Sequence, residues 1–343
     1  MKDMMNKIVV SSRIRLARNI ADLPFPQILD GEQAFGFMKK ISDLLAESGS
    51  FKAYLMSQMN DVQKRAFVEK HLISPDLVKK NKYGAVIVSD DESISVMLNE
   101  EDHIREQSIV KGFDLNLAFE KIKKVDQKII ANVKLAYDDK LGFLTSCPTN
   151  VGTGMRASVM MFLPALTKNG KIPSLIKALD QKGMTVRGIY GEGSESEGYF
   201  YQVSNKISLG FSEEDIIANV SKAVQTICEF EIAESKSLFE ANKIAWTDKI
   251  MRSKGILTNA YVLSTKEFFE RFADVKMGVI LGIINCKDVV KLDDFLVGVL
   301  PANLMLNRGS AMNEVERDLF RASYTSTAAT ALPKILLEMA APM

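Results

Sequence analysis

The sequence predicts a mixed α and β domain followed by an almost wholly α-helical one. Up to about Asn205, short β-rich runs alternate with stretches of helical spacing, and from Ser212 onward the helical spacing is nearly unbroken. The chain has 343 residues, 47% hydrophobic and 25% charged, which is enough to bury cores in two domains. No apolar run approaches a membrane span, and Met1-Lys2-Asp3 lacks the apolar stretch of a secretory signal. A formal net charge of +1 gives no field that would draw nucleic acid. Cys147, Cys228 and Cys286 are too few and too scattered for a disulfide framework or a zinc site. A reduced, cytoplasmic setting is expected.

In chain order, residues 33–47 and 117–137 carry apolar side chains at helical spacing. Residues 84–88 (GAVIV) and 93–98 (SISVML) read as strands, as do residues 199–203, where aromatic and β-branched side chains alternate. Val159-Met160-Met161-Phe162 suits a strand buried on both faces. A buried helical turn competes, because so short an apolar run does not settle its own period. Ser212 with Asp215 behind it makes a capping start for a long helix through Ala241. Pro301 and Pro333 break later helical segments. The apolar stretch 277–284 is a candidate homodimer surface, and the relatively apolar tail after Ala322 a candidate for packing on a partner.

Four polar islands interrupt this pattern. In Ser11-Ser12-Arg13-Ile14-Arg15-Leu16-Ala17-Arg18, alternation puts Arg13 and Arg15 on one face of an extended segment. Two guanidinium forks side by side suit phosphate oxygens, although a solvated basic edge strand explains the same residues. Asn99-Glu100-Glu101-Asp102-His103-Ile104-Arg105 follows a strand. Its acids serve either as a helix N-cap turn or as a general base beside a phosphate-binding Arg105, and nothing local decides. Residues 146–156 (SCPTNVGTGMR) form a shaped loop in which Cys147 is either a small core hydrophobe or, among hydroxyls and amides, a reactive thiol. The loop lacks the Gly-Lys-Ser/Thr ending of a phosphate-binding loop. Residues 187–198 (RGIYGEGSESEG) set four glycines among three glutamates, as a solvated linker or as a lid that swings a carboxylate over a cationic substrate.

The order and wording of these islands resemble the phosphagen (guanidino) kinases, the family of creatine and arginine kinases. The shared stretches are SSRIRLARN, NEEDHIR, CPTNVGTGMRASV and RGIYGEGSE followed by SNK, within residues 8–235. The resemblance implies an α+β fold, with an antiparallel sheet flanked by helices and then an α-helical C-terminal domain. The catalytic domain is expected over residues 1–235, and the helical one, for dimerisation and phosphoarginine binding, over residues 236–343. By the same resemblance, Arg13, Arg15, Arg105, Arg156 and Arg187 hold the ATP phosphates. Ser11, Ser12, Ile14, His71, Ala157, Ser158, Val159, Met160, Gly188, Ile189, Tyr190 and Gly191 complete the nucleotide-binding segments. Glu101 and Glu192 match the carboxylates that bracket the substrate guanidinium, and Cys147 matches the family's active-site cysteine. Magnesium is expected to ride on the ATP phosphates and water, with no dedicated protein ligand.

The chemistry suits those residues. Phosphoryl transfer needs alignment and dispersal of charge on the γ-phosphoryl group, which five arginines supply. A guanidinium has a pKa above about 12 and is a poor nucleophile while protonated, so paired carboxylates must orient it and take a proton.

VEKHLISPDL, SVMLNEEDHI and LTSCPTNVGTGMRASVMMFLPAL resemble the bacterial protein-arginine kinases more closely than the small-molecule enzymes. Gly191-Glu192-Gly193-Ser194-Glu195 also lacks the histidine and threonine that typically follow the first glutamate in animal phosphagen kinases. Ten residues precede the first motif, where phosphagen kinases carry a small helical domain. The expectation is a site open to arginine side chains on proteins. A kinase of free arginine or another small guanidine, and a non-catalytic phosphoarginine adaptor, are the alternatives.

Arg317-Asp318-Leu319-Phe320-Arg321-Ala322 matches the RDxxRA motif that binds phosphoarginine as an allosteric ligand in those kinases. Two arginines four apart share a helical face and suit a phosphoryl group, with Asp318 for the guanidinium end. In isolation the motif is an ordinary charged helix surface. The resemblance further implies protein substrates with exposed arginine, a homodimer, a zinc-binding activator protein, and a Clp-type protease in stress response and protein quality control.

Overall fold

The computed structural model describes residues 2–47, 49–79, 83–189, 196–326 and 336–339. It begins α1 (Lys2–Ile8), β1 (Val9–Arg18), α2 (Gly31–Ala46), β2 (Phe51–Leu55), α3 (Asp61–Glu69), α4 (Pro75–Lys79), β3 (Ala85–Ser89), β4 (Ile94–Leu98), β5 (Ile104–Lys111) and α5 (Leu115–Asn132). There follow β6 (Tyr137–Asp138), β7 (Gly142–Phe143), β8 (Met155–Phe162), α6 (Pro164–Lys168), α7 (Ile172–Asp180), β9 (Met184–Gly188) and β10 (Phe200–Asn205). The remainder is mostly helical, with α8 (Glu213–Ala241), α9 (Lys243–Asn259), α10 (Thr265–Leu281), β11 (Ile284–Cys286), α11 (Val289–Gly298), α12 (Pro301–Arg308), α13 (Glu314–Ser326) and β12 (Leu336–Met339).

Eight strands form one sheet in the order β2-β3-β4-β5-β1-β8-β10-β9. The meander β2 to β5 is antiparallel, as is the pairing of β5 with β1. All five residues of β3 (AVIVS) are buried, the continuous apolar texture of a strand covered on both faces. Helix α5 starts at Asp114, whose side chain accepts from Leu117 N, and buries Ala118, Ile122, Val125 and Ile129 at helical spacing. It packs against β5. The expected antiparallel sheet with flanking helices and a helical C-terminal part is therefore present.

By contacts the chain divides into two compact units, residues 11–159 with 204–221, and residues 1–10 and 160–203 with 222–343. Some local expectations hold and others change. Residues 159–162 belong to a strand, β8. The helix expected to reach residue 137 ends at Asn132, and Val133 is already extended. Pro301 opens α12 rather than breaking a helix, at a position where a missing N–H costs nothing. Pro333 lies outside the described residues. In the stretch 277–284, Met277, Val279, Ile280 and Ile284 are buried within their own unit, where α10 packs on α9 and β11. In the tail, β12 pairs antiparallel with β11 of the same chain. Among the described residues no helix is long and apolar enough to cross a membrane.

Candidate active site

The site grows from the parity of β1, which lies between β5 and β8. Ile14, Leu16 and Arg18 are buried, whereas Arg13 and Arg15 are half-buried on the opposite face. In the register with β5, Gln107 stands opposite Arg15 and Arg105 opposite Ala17, so Arg105 joins the face of Arg13 and Arg15. On β8, Ser158 Oγ receives Arg13 Nε at 3.3 Å, and Arg156, two residues earlier, donates to Ser204 Oγ from both Nε and Nη2 at 3.2 Å. A cleft in this unit is lined by Arg15, Leu16 and Ala17 of β1, by Glu101, Asp102 and Arg105, and by Asn150, Gly154 and Arg156.

Crowded cations dominate the field. Burial, then repulsion from Arg105 and Arg156, lowers the Arg13 guanidinium to about 9. Arg15 is pushed well below its ordinary value by burial and by Arg13, Arg105 and Arg156, with only Glu100 opposing. A guanidinium keeps its proton at neutral pH even so, and the strain of gathering these charges is relieved by a polyanion. The donor set, forks without carboxylates on the strand face, fits phosphate oxygens and not a metal ion.

Arg105 is aimed by Glu100, whose Oε1 accepts Arg105 Nη1 at 2.6 Å and also a bond from the Ser74 hydroxyl. Burial would raise the Glu100 carboxyl, but Arg105, Ser74 and the Glu101 amide hold it below its usual range. His71, in a left-handed turn at φ 60°, is lowered to about 4 by burial and by Arg13 and Lys111, so it is neutral at physiological pH. Its carbonyl accepts Gln107 Nε2 at 2.6 Å, tying that turn to the strand beneath the arginines.

Glu101 is exposed at the mouth of the cleft. Burial of its carboxylate and then Asp102 and Glu100 raise its proton affinity, against the pull of Arg105. Its loop is stitched to the Cys147 loop. Asp102 Oδ1 accepts Ser146 N and Asn19 Nδ2, each at 2.7 Å, and Ser146 Oγ donates to Glu101 O at 2.8 Å. Asn19 Oδ1 in turn accepts His103 N at 2.9 Å. His103 Nδ1 accepts Ile20 N, which leaves Nε2 to donate its proton to Pro24 O. Cys147 is half-buried with its Sγ 3.1 Å from Thr149 Oγ1.

The remaining expected residues divide by face. Ser12, Ile14, Ala157 and Val159 are buried at 0–1% exposure, and Ser12 Oγ bridges Gly112 O and Asp114 N, so its hydroxyl secures the start of α5. Ser11 and Met160 are half-buried. Arg187 is exposed on β9, followed by half-buried Gly188 and Ile189; Tyr190, Gly191 and Glu192 lie outside the described residues. In α13, Arg317 and Asp318 are half-exposed, but Arg321 is turned inward at 0% exposure. It donates to Val299 O, Leu263 O and Asp318 Oδ1 at 3.1, 2.8 and 2.6 Å. The shared outer face expected from the i, i+4 spacing is therefore absent.

Sequence reasoning missed Glu100, Asp102, Asn19, Ser74 and Ser204 as positioning residues. It also missed that Arg18 is structural: bonded twice to Asp126 at 2.9 Å and 3.7 Å over the Phe143 ring, it faces away from the cleft. Its even position in the strand was the available signal.

A family model described as ATP:guanido phosphotransferase, C-terminal catalytic domain, matches residues 36–234. A second, described as protein-arginine kinase McsB C-terminal domain, matches residues 243–335. The protein-arginine kinase of Caldanaerobacter subterraneus subsp. tengcongensis is 43% identical, over 93% of this chain and 96% of its own. That of Geobacillus thermodenitrificans is 44% identical, over 92% of this chain and 88% of its own. Among solved structures, lombricine kinase superposes with a TM-score of 0.58 at 26% identity, over 66% of this chain and 67% of that one. The duplicated taurocyamine kinase from Schistosoma mansoni with bound transition state analog components gives 0.61 at 26% identity, over 78% of this chain and 39% of that one.

Proposed function

The chain belongs to the protein-arginine kinases of the ATP:guanido phosphotransferase family, and on that premise we propose that it transfers the γ-phosphoryl group of ATP to arginine side chains of proteins. The observation that carries this reading is the convergence of Arg15, Arg105 and Arg156 with Glu101 around one cleft.

Arg13, Arg15, Arg105 and Arg156 grip the phosphates, with Arg187 as the fifth cation, and fix the γ-phosphorus for in-line attack. Magnesium, carried on the phosphates and water, supplies further neutralisation of charge when bound. Glu101 orients the acceptor guanidinium and takes a proton from the attacking nitrogen as the N–P bond forms and the bond to the ADP oxygen breaks. Glu192 is assigned the second carboxylate position. Cys147 adds a polarisable group beside the acceptor, in a loop held to that of Glu101 through Ser146.

Regulation is part of the proposal. Phosphoarginine docks at Arg317, Asp318 and Arg321, which requires the buried Arg321–Asp318 pair to open. A homodimer, a zinc-binding activator, delivery to a Clp-type protease and a cytoplasmic setting complete the reading. Incubation with ATP and an unfolded protein, followed by mass spectrometry at neutral pH to preserve N–P bonds, should find phosphoarginine on the protein. A parallel assay with free arginine separates the two substrate classes. Product on free arginine alone would overturn the protein substrate, and product on neither would overturn the kinase.

A further inference from the structure

Residues 207–211 take no part in the chemistry above, yet they are fastened to the acceptor side of the cleft. Ser208 is fully buried, and its Oγ donates to Val151 O at 3.0 Å, with Thr149 O at 3.4 Å. Those carbonyls flank Asn150, which lines the cleft in the turn that starts at Cys147. With Ser208 turned in, Ile207, Leu209 and Phe211 point out, 45%, 47% and 43% exposed. On another side of the same loop Phe143 bridges Gly152, and the β6–β7 hairpin exposes Tyr137 and Leu141 at 57% and 46%.

The segments that carry this rim approach one another closely. A Cβ on Gly152 would stand 2.8 Å from Leu209 Cα, and one on Gly142 only 2.4 Å from Gly152 O. Single exposed apolar side chains need no explanation, but five fixed around one loop beside a reaction cleft mark an interaction surface.

We propose that this rim is the docking surface for the polypeptide that carries the target arginine, and that it selects extended segments with apolar side chains next to that arginine. The proposal rests on the protein-arginine kinase reading. An arginine whose guanidinium reaches Glu101 brings its own backbone to the mouth of the cleft, and its neighbours along the chain then lie over the Cys147–Gly152 loop and its apolar border. A folded protein buries such neighbours, whereas an unfolded one presents them. A free guanidine leaves the rim unused.

The test uses two unfolded peptides of equal length and charge, each with one arginine. Leucine and phenylalanine flank it in one, serine and glycine in the other. Phosphoarginine formation is measured with the full chain and with a Leu209→Ser, Phe211→Ser double variant, alongside thermal melting and light scattering. Wild type should favour the apolar peptide by about tenfold in kcat/KM. The variant should use both peptides at the rate wild type uses the serine–glycine one, with unchanged mass. The proposal is overturned by equal use in wild type, by preference retained in the variant, or by equal loss on both peptides. A change of mass in the variant also overturns it, since the rim is then covered by a second copy. If the double variant does not fold, Phe211→Ser alone carries the same comparison. Phosphorylation of the serine–glycine peptide keeps the arginine-kinase reading even when docking fails; phosphorylation of neither peptide by wild type removes both.

Discussion

Glu101→Gln keeps the size of the side chain and removes its capacity to take a proton. The carboxylate stands where burial, Asp102 and Glu100 raise its proton affinity, moving it toward the range in which a general base is most useful. Losing such a base costs about 10²- to 10⁴-fold in kcat, or about 2.7–5.5 kcal/mol in the barrier. The loop itself should survive. It is held by Glu101 O, which accepts from Ser146 Oγ at 2.8 Å and Gln27 Nε2 at 3.1 Å, and by Glu101 N, which donates to Glu100 at 2.9 Å. None of these bonds uses the carboxylate, so ATP affinity measured by calorimetry should change by less than about threefold. Phosphoarginine formation, followed by mass spectrometry at neutral pH, should fall by at least 10²-fold, the lower end of that range. The wild-type kcat/KM profile should also show an acid limb shifted above the ordinary glutamate value of 4.5, absent from the variant. Wild-type turnover in Glu101→Gln, or a loss of ATP affinity equal to the loss of turnover, would refute the role.

Three further outcomes follow from the packing. Gly154→Ala places a Cβ 2.6 Å from Ala17 O at φ 65°, so urea unfolding should show a loss of about 2 kcal/mol or more, with weaker nucleotide binding because Gly154 lines the cleft. Asp126→Ala strands the buried Arg18 guanidinium and should cost about 3–5 kcal/mol, read as a fall in Tm. Burial raises the Glu231 carboxyl to about 7, so the folded state binds that proton more tightly than the unfolded chain. Stability from this group is therefore present below its ordinary value of 4.5 and lost as pH rises toward about 7. Glu231→Gln should flatten that slope in denaturant titrations at pH 5 and pH 8, about the two sides of the transition.

What the sequence reveals depends on how local the cause is. The helix at Gly31–Ala46 and the strands at Ala85–Ser89 and Ile94–Leu98 fall within two residues of the expected spans, because period and capping are local properties. The overshoot of α5 has a distant cause. Lys134 O accepts Ala21 N, Ala136 N donates to Asn19 O, and Leu135 bridges Ile20, so the end of β1 captures residues that continue the helical spacing. In the site, the alternation of Arg13 and Arg15 was legible and the resemblance singled out Glu101, but the positioning parts of Glu100 and Asp102 were not legible. Three consecutive acids look alike until the turn after β4, with Asn99 at φ 59°, sends Glu100 inward to Arg105 and leaves Glu101 at the mouth. The inward turn of Arg321 was hidden for a similar reason: spacing along α13 says which residues share a face, and only packing against Leu263 and Val299 says which way that face looks.

A single strand thus gives one amino acid two incompatible meanings. At positions 13 and 15, lysine preserves a point charge for an oxyanion and should weaken the enzyme by degrees. At position 18, where the planar fork spans both oxygens of Asp126 and lies flat on Phe143, the same exchange removes a joint that no ammonium replaces. Tolerance to arginine-to-lysine exchange along β1 should therefore alternate with the pleat, and a natural variant in this motif is interpretable only once the parity of its position is known.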